Sequence, residues 1–346
     1  LPFDRPKKDD DKRGSHVLSI PEAFVAEASS NVTAQPYDPK WDGSRIVPKR
    51  VVIETIFGCN AACDFCVVNQ PTSRAKGTMP MDKFQGLIDA LAPHRDAIDM
   101  LDLFGLGEPV IDPYLAERVR YVKAAGFRNT SISTNAHLLS AEKARALMAA
   151  GLDTVIFSID GATKATHEAA RVRTNFERVV GNAVDMIRIR DTEGFATRFV
   201  VRFVRQPSNE DEWDDYLRFW QRVVSPAKRD LIIRYDVHTW SGAIEDGEIV
   251  DQEWRDPVID RNACHHIYEK LVILADGSVS LCFEDILDAQ FGFGNVFEND
   301  PIEVFNSPRF NKIRKLHADG KRRNMKICDG CMVLYNEPKR LLIDGR

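Results

Sequence analysis

Seven cysteines carry the first chemical information in this 346-residue chain, because they fall into two groups. Cys59, Cys63 and Cys66 lie in one short loop, Gly58-Cys59-Asn60-Ala61-Ala62-Cys63-Asp64-Phe65-Cys66, spaced C-x3-C-x2-C. Three thiolates so placed can hold three irons of a [4Fe–4S] cube and leave the fourth iron open. An open coordination position is what a metal needs to bind substrate rather than brace the fold. A three-ligand zinc site or buried free thiols are the alternatives, and no further His or Cys lies nearby to complete zinc. The other four, Cys264, Cys282, Cys328 and Cys331, are spaced C-x17-C … C-x2-C and suggest a second metal centre, a structural zinc site with all four thiolates being the alternative. An odd cysteine count in so long a chain is a poor disulfide framework, so a reducing, cytoplasmic compartment is expected.

A second set of polar residues recurs at regular places. It comprises Gly105-Leu106-Gly107-Glu108-Pro109, Ser133-Thr134-Asn135, Ser158-Ile159-Asp160-Gly161, Arg202, and then Arg234, Asp236 and His238. The glycines would let a ligand approach the backbone closely, and Glu108 could accept from an amine.

What precedes each set is a short β-branched run. The strand candidates are 51–56, 98–104, 130–133, 154–159, 198–204 and 231–237. Helical patterns separate them. Phe84, Leu87, Ile88 and Leu91 share one helical face, as do Phe176, Val179, Val180, Ala183, Val184 and Ile187. Ser140 and Gly151 read as the start and stop of another helix, and Asn209 before three acids reads as a further helix start. Six strands alternating with helices imply a parallel sheet with right-handed crossovers. Six units are too few for a closed eight-stranded barrel; a three-quarter barrel and an open doubly wound sheet both fit. In either, ligands bind at the C-terminal ends of the strands, where the polar sets lie.

The rest of the chain divides around that core. Residues 1–48 read as an arm with one short helix near 21–28, 49–240 as the main domain, and 241–263 as an acid-rich linker. Residues 264–346 read as a loop-rich domain with one hairpin (271–273, turn Asp276-Gly277, 279–281), so small that a metal staple would help it. Apolar residues at 44% and charged residues at 29% permit a sizeable core. The net charge of −5 gives no footprint for nucleic acid or an anionic membrane. No apolar run approaches the ~20 residues of a membrane span, and the first residues lack the apolar region of a secretory signal.

These motifs together resemble the radical S-adenosylmethionine (radical SAM) superfamily, in the branch with a C-terminal SPASM or shortened twitch domain. The resemblance covers roughly residues 50–335. Cys59, Cys63 and Cys66, with Asn60 and Phe65, match the cluster motif; Arg74, Gly77 and Met79 match a short signature downstream. Gly105–Pro109 matches a GGEP motif with Leu106 in place of the middle glycine. Asn135 matches a Thr-Asn-Gly element in which Ala136 replaces glycine. Ser158–Gly161, His167 and Arg171 match the next element. The resemblance implies a partial (β/α)6 barrel with a small C-terminal cluster-binding domain. It implies SAM and a [4Fe–4S] cluster at Cys59, Cys63 and Cys66, and an auxiliary [4Fe–4S] cluster at Cys264, Cys282, Cys328 and Cys331. The backbone near Gly107 and Glu108 would hold the SAM amine; Ser158 and Arg171 would meet its ribose and carboxylate. Gly105, Ser133, Asn135, Asp160 and Arg202 complete the expected cofactor-binding set. Cleavage of SAM would yield a 5′-deoxyadenosyl radical that abstracts hydrogen from substrate, with an electron donor such as flavodoxin or ferredoxin.

Three plus four uses every cysteine, so the auxiliary cluster would be fully ligated and no thiol would remain to return a hydrogen atom. That favours two-electron dehydrogenation, with Asp236 or His238 as base; with Arg234 and Trp240 they alternate along the sixth strand and could share one face. His265 and His266 read as polar surface residues. The 48-residue arm is too short for the leader-recognition domain of peptide-modifying members. With Trp240, Tyr235, Asp236, Glu245 and Asp246 nearby, a small carbohydrate or aminocyclitol-like metabolite is the expected substrate. Dehydration, decarboxylation, peptide modification and a non-catalytic zinc-braced binding protein are the alternatives.

Overall fold

The computed structural model describes residues 25–27, 37, 39–237, 240, 262–329 and 331. Its strands are β1 (Val25–Glu27), β2 (Arg50–Ile53), β3 (Ile56–Phe57), β4 (Gly77–Thr78), β5 (Met100–Asp102), β6 (Thr130–Thr134), β7 (Thr154–Ser158), β8 (Arg198–Arg205), β9 (Leu231–Asp236), β10 (Lys270–Ile273) and β11 (Val279–Ser280). Its helices are α1 (Met81–Leu91), α2 (Leu115–Ala124), α3 (Ala141–Ala149), α4 (Lys164–Ala170), α5 (Phe176–Glu193), α6 (Trp213–Trp220), α7 (His266–Glu269), α8 (Pro301–Phe305) and α9 (Pro308–Ala318).

The main sheet runs β1-β9-β8-β7-β6-β5-β2-β10-β11, with β10–β11 antiparallel and every other neighbouring pair parallel. It is an open, partial barrel whose six β/α units start at β2, β5, β6, β7, β8 and β9. β7, Thr-Val-Ile-Phe-Ser, is buried at every residue, as a parallel strand covered on both faces must be. The helices bury the faces read from their periodicity: Phe84, Leu87, Ile88 and Leu91 of α1 pack with Phe176, Val179 and Val180 of α5 in one core outside the barrel. The Ser140 hydroxyl accepts from Lys143 N at 3.2 Å to start α3, and Gly194 closes α5 at φ 77°.

The structure corrects or refines the expectations at four places. Residues 25–27 form a strand parallel to β9 and not part of a helix. A helix does start after Asn209, as a 3-10 turn at Glu210–Glu212 that runs into α6 at Trp213, but the Asn209 side chain donates to Asp160 O and Val204 O, tying down the end of β8, and does not cap it. The C-terminal hairpin does not pair only within its own segment, since β10 pairs with β2 from Lys270↔Arg50 to Ile273↔Ile53. Nor does that segment hold little else, because α8 and α9 send Phe305, Phe310 and Ile313 into the same core as β2. Most of the expected linker lies outside the described residues. Among those residues no helix is long and apolar enough to cross a membrane.

Candidate active site

A cavity of about 330 Å³ opens inside the barrel at the C-terminal ends of its strands. The loop after β3 brings Cys59, Cys63 and Cys66 to its wall, all half-buried and unbridged. Burial pushes their thiols up, Cys59 to about 11 and Cys66 to about 12; Cys63 is raised as well, against the pull of Arg171. Metal must therefore displace protons there, as thiolate ligation does. The surroundings fit charged sulfur. Ala61 N lies 3.3 Å from Cys59 Sγ, Asn135 Nδ2 lies 3.8 Å from it, and a terminal nitrogen of Arg171 is 3.9 Å from Cys63 Sγ. Among the described residues no three His, Cys, Asp or Glu side chains close on a single ion. A cube asks for no such convergence, since each thiolate takes its own iron.

The strand-end loops brace this loop. A Cβ on Gly107 would lie 2.3 Å from Ile56 O, and one on Gly105 would lie 2.6 Å from Glu54 Cβ. These glycines admit the chain itself, where the sequence suggested a ligand. Glu108 is likewise occupied: its carboxylate accepts from Val110 N at 3.0 Å, Thr134 Oγ1 at 2.6 Å and Asn135 N at 2.7 Å. Ala136 keeps the backbone of the glycine it replaces, with φ 58°. Asn135 links the loops by donating to Asn60 Oδ1 at 3.0 Å.

Gly105, Gly107, Glu108, Ser133, Asn135, Ser158, Arg171, Arg202 and Asp236 all reach the cavity wall. Asp160 does not. It is fully buried, accepting from Val204 N at 2.8 Å and pairing with Arg171 at 2.7 Å, so it acts through Arg171. Burial lowers the Arg171 pKa, but Asp160 and Cys63 outweigh it and hold the guanidinium above its ordinary value. His238, Glu245 and Asp246 lie outside the described residues. The expected shared face of the sixth strand is also corrected. Ile233, Tyr235 and Val237 line the cavity, whereas Arg234 lies over the Trp213 ring at 4.7 Å. Asp236 reaches the wall paired with Arg205 at 2.6 Å.

Sequence reasoning missed the side of the cavity built by β10 and α7. His266 is 3% exposed, not a surface residue, and its Nδ1 lies 2.7 Å from Lys270 Nζ; both line the cavity beside Arg50. The only signal was the i, i+4 spacing of His266 and Lys270, which means nothing until β10 is known to join β2.

The four C-terminal cysteines lie within electrostatic reach of one another. Burial raises the Cys282 thiol well above its usual value, with Cys331, Cys328 and Cys264 close enough to add to the effect. Burial likewise pushes Cys328 up to about 12, Cys264 contributing. Phe283, next to Cys282, lines the cavity and stacks on Phe104 with ring centroids 6.4 Å apart. The second cysteine group therefore abuts the first site.

Comparison with known proteins agrees. Residues 53–219 match the radical SAM superfamily, and residues 264–332 match the SPASM iron–sulfur cluster-binding domain. The AdoMet-dependent heme synthase of Methanosarcina barkeri is 34% identical over 330 residues, covering 82% of this chain and 91% of the relative. A tungsten-containing aldehyde ferredoxin oxidoreductase cofactor-modifying protein of Pyrococcus furiosus is 35% identical over 112 residues, 32% of this chain and only 31% of that protein. Among solved structures, BtrN in complex with AdoMet and 2-DOIA superposes with a TM-score of 0.57 at 16% identity, covering 83% of this chain and 94% of that one. Streptococcus suis SuiB bound to precursor peptide SuiA gives 0.61 at 15%, covering 77% and 66%. At those identities the likeness concerns the fold alone. The chain belongs to the radical SAM superfamily, with S-adenosylmethionine and a [4Fe–4S] cluster as cofactors at the barrel and a second cluster in a C-terminal SPASM domain.

Proposed function

We propose that this chain oxidises a small metabolite by two electrons, a dehydrogenation begun by hydrogen-atom abstraction. One observation carries the reading: the seven cysteines form two groups, the second abutting the cavity through Phe283, and no thiol is left over to return a hydrogen atom. When bound, SAM and the two clusters supply the abstracting radical and an acceptor for one electron. The chain's own task is to hold the substrate, exclude water and take a proton. Asp236 is the described candidate for that proton, as a carboxylate at the cavity wall oriented by Arg205. Tyr235 and Trp240 offer rings on the same side for stacking. Gly105, Gly107, Glu108 and Asn135 would border SAM between the Cys59–Cys66 loop and Arg171, and an external donor such as flavodoxin or ferredoxin would start the cycle.

The test screens 5′-deoxyadenosine release over polyols, amino sugars and organic acids. The substrate so found should give a product two hydrogens lighter, one per deoxyadenosine; a product isomeric with substrate would sink the reading. Asp236→Asn should leave SAM binding intact and cut product formation at least tenfold, whereas unchanged turnover rejects Asp236 as base.

The identity to the Methanosarcina barkeri heme synthase favours a second reading, with a tetrapyrrole as substrate. A Soret-band shift on titrating an iron porphyrin into the holoenzyme would select it.

A further inference from the structure

Arg202 is a cation in the cavity wall that makes no direct ion pair among the described residues. Each of the other arginines of that wall has one: Arg50 pairs with Asp102 and Arg171 with Asp160. Arg202 meets only hydroxyls, its terminal nitrogen lying 3.1 Å from Ser133 Oγ and 2.5 Å from Ser158 Oγ. Its Nε is buried without a hydrogen-bond partner. Burial lowers its pKa and the neighbouring charge of Arg171 adds to the effect, outweighing the opposite pull of Tyr235 and Asp160.

The fold builds this arrangement. Ser158 of β7 stands in register with Arg202 of β8, and Ser133 of β6 completes three adjacent strands facing inward. A half-buried guanidinium in a cavity wall favours an anion in that cavity, and a planar fork of N–H donors suits a carboxylate better than a hydroxyl. Two carboxylates could come: that of SAM and that of the substrate. Arg171 lies against Cys63, beside the iron site where SAM must sit, and Arg202 has no hydrogen bond to the cysteine loop.

We propose that Arg202, flanked by Ser133 and Ser158, anchors a carboxylate of the substrate in place of the cofactor role that the resemblance implied for these three, so that this enzyme acts on an organic acid rather than on a neutral polyol. This rests on the cavity being the substrate site, as in the proposed oxidation, but not on the outcome of the reaction. It is therefore read by binding without turnover.

The oxidised, SAM-loaded holoenzyme is examined by saturation-transfer NMR with propionate and with propionamide, its neutral counterpart. Propionate should bind saturably and propionamide at least tenfold more weakly. In Arg202→Gln propionate binding should be lost, while SAM affinity, measured by equilibrium dialysis, stays within about twofold. Arg202→Lys keeps the charge and guards against a folding defect, and should retain weakened propionate binding. Equal binding of propionate and propionamide, no propionate binding in wild type, or propionate binding unchanged in Arg202→Gln would each overturn the proposal. A tenfold or greater fall of SAM affinity in Arg202→Gln would also overturn it, by giving Arg202 to the cofactor.

Discussion

At the scale of single residues, the site is held by buried polar groups whose protonation the fold dictates. His167 is fully buried, with Nδ1 accepting from Asp160 N at 3.2 Å and Nε2 lying 3.3 Å from Thr174 Oγ1. Burial, aided by the charge of Arg171, pushes its pKa down to about 3. The unfolded chain takes up a proton at this histidine near pH 6.5, whereas the folded chain resists until about pH 3. Stability is therefore lost as pH falls through that window, at no more than about 1.4 kcal/mol per pH unit for this one group. Urea unfolding at pH 8 and pH 5 should show His167→Gln losing about 2 kcal/mol less than wild type on acidification. An equal loss in both would mean that His167 is protonated in the folded protein. The effect reaches the site because His167 supports Asp160, which holds Arg171 beside Cys63.

At the scale of elements, the glycines separate into those that the site needs and those that it does not. Gly107 packs against the backbone of the cysteine loop, so Gly107→Ala must move that loop. Such overpacking typically costs about 1–3 kcal/mol, and iron per chain after anaerobic reconstitution should drop from about eight toward about four. Gly86 of α1 and Gly181 of α5 are exposed, and an added Cβ at either meets nothing within 4 Å. Alanine at each should raise stability by about 0.8–1 kcal/mol with iron unchanged. Iron retained in Gly107→Ala would show that the loop closes without this contact. Elements of this kind were legible in the sequence when the information was local. The core strands are short runs rich in β-branched and apolar residues, and the polar residues at their C-terminal ends pointed to the binding face. What was not legible depends on partners distant in the chain. Nothing local says that Arg234 turns outward to Trp213 while Tyr235 turns inward, or that Asn209 is spent on the end of β8. The Lys270↔Arg50 pairing joins residues from opposite ends of the chain, so the cavity side that it builds could not be read at all.

At the scale of the whole molecule, the two cysteine groups belong to one mechanical unit, and Glu54 shows why. Its fully buried carboxylate accepts from Leu106 N at 3.1 Å, Ala275 N at 3.0 Å and the guanidinium of Arg74. It thereby ties the strand-end loop after β5 to the hairpin of the SPASM domain. Arg74 continues the link, donating to Ile286 O at 3.0 Å just past Cys282 and lying over the Phe57 ring at 4.2 Å. This gives a physical reason for the arginine of the short signature after the cluster motif. Removing one partner of a buried ion pair leaves the other charge stranded, which costs about 3–5 kcal/mol. Arg74→Met should therefore destabilise the whole chain by that amount, and the loss should not be confined to one domain. Denaturation of the reconstituted protein, followed by tryptophan fluorescence and by the visible absorbance of the clusters, should give one coincident midpoint in wild type. Both signals should shift together in the variant, because β10 and β2 share a ladder and cannot melt separately without breaking it. If the absorbance were lost in two steps while fluorescence moved only once, the auxiliary domain would be an independent unit despite its place in the sheet.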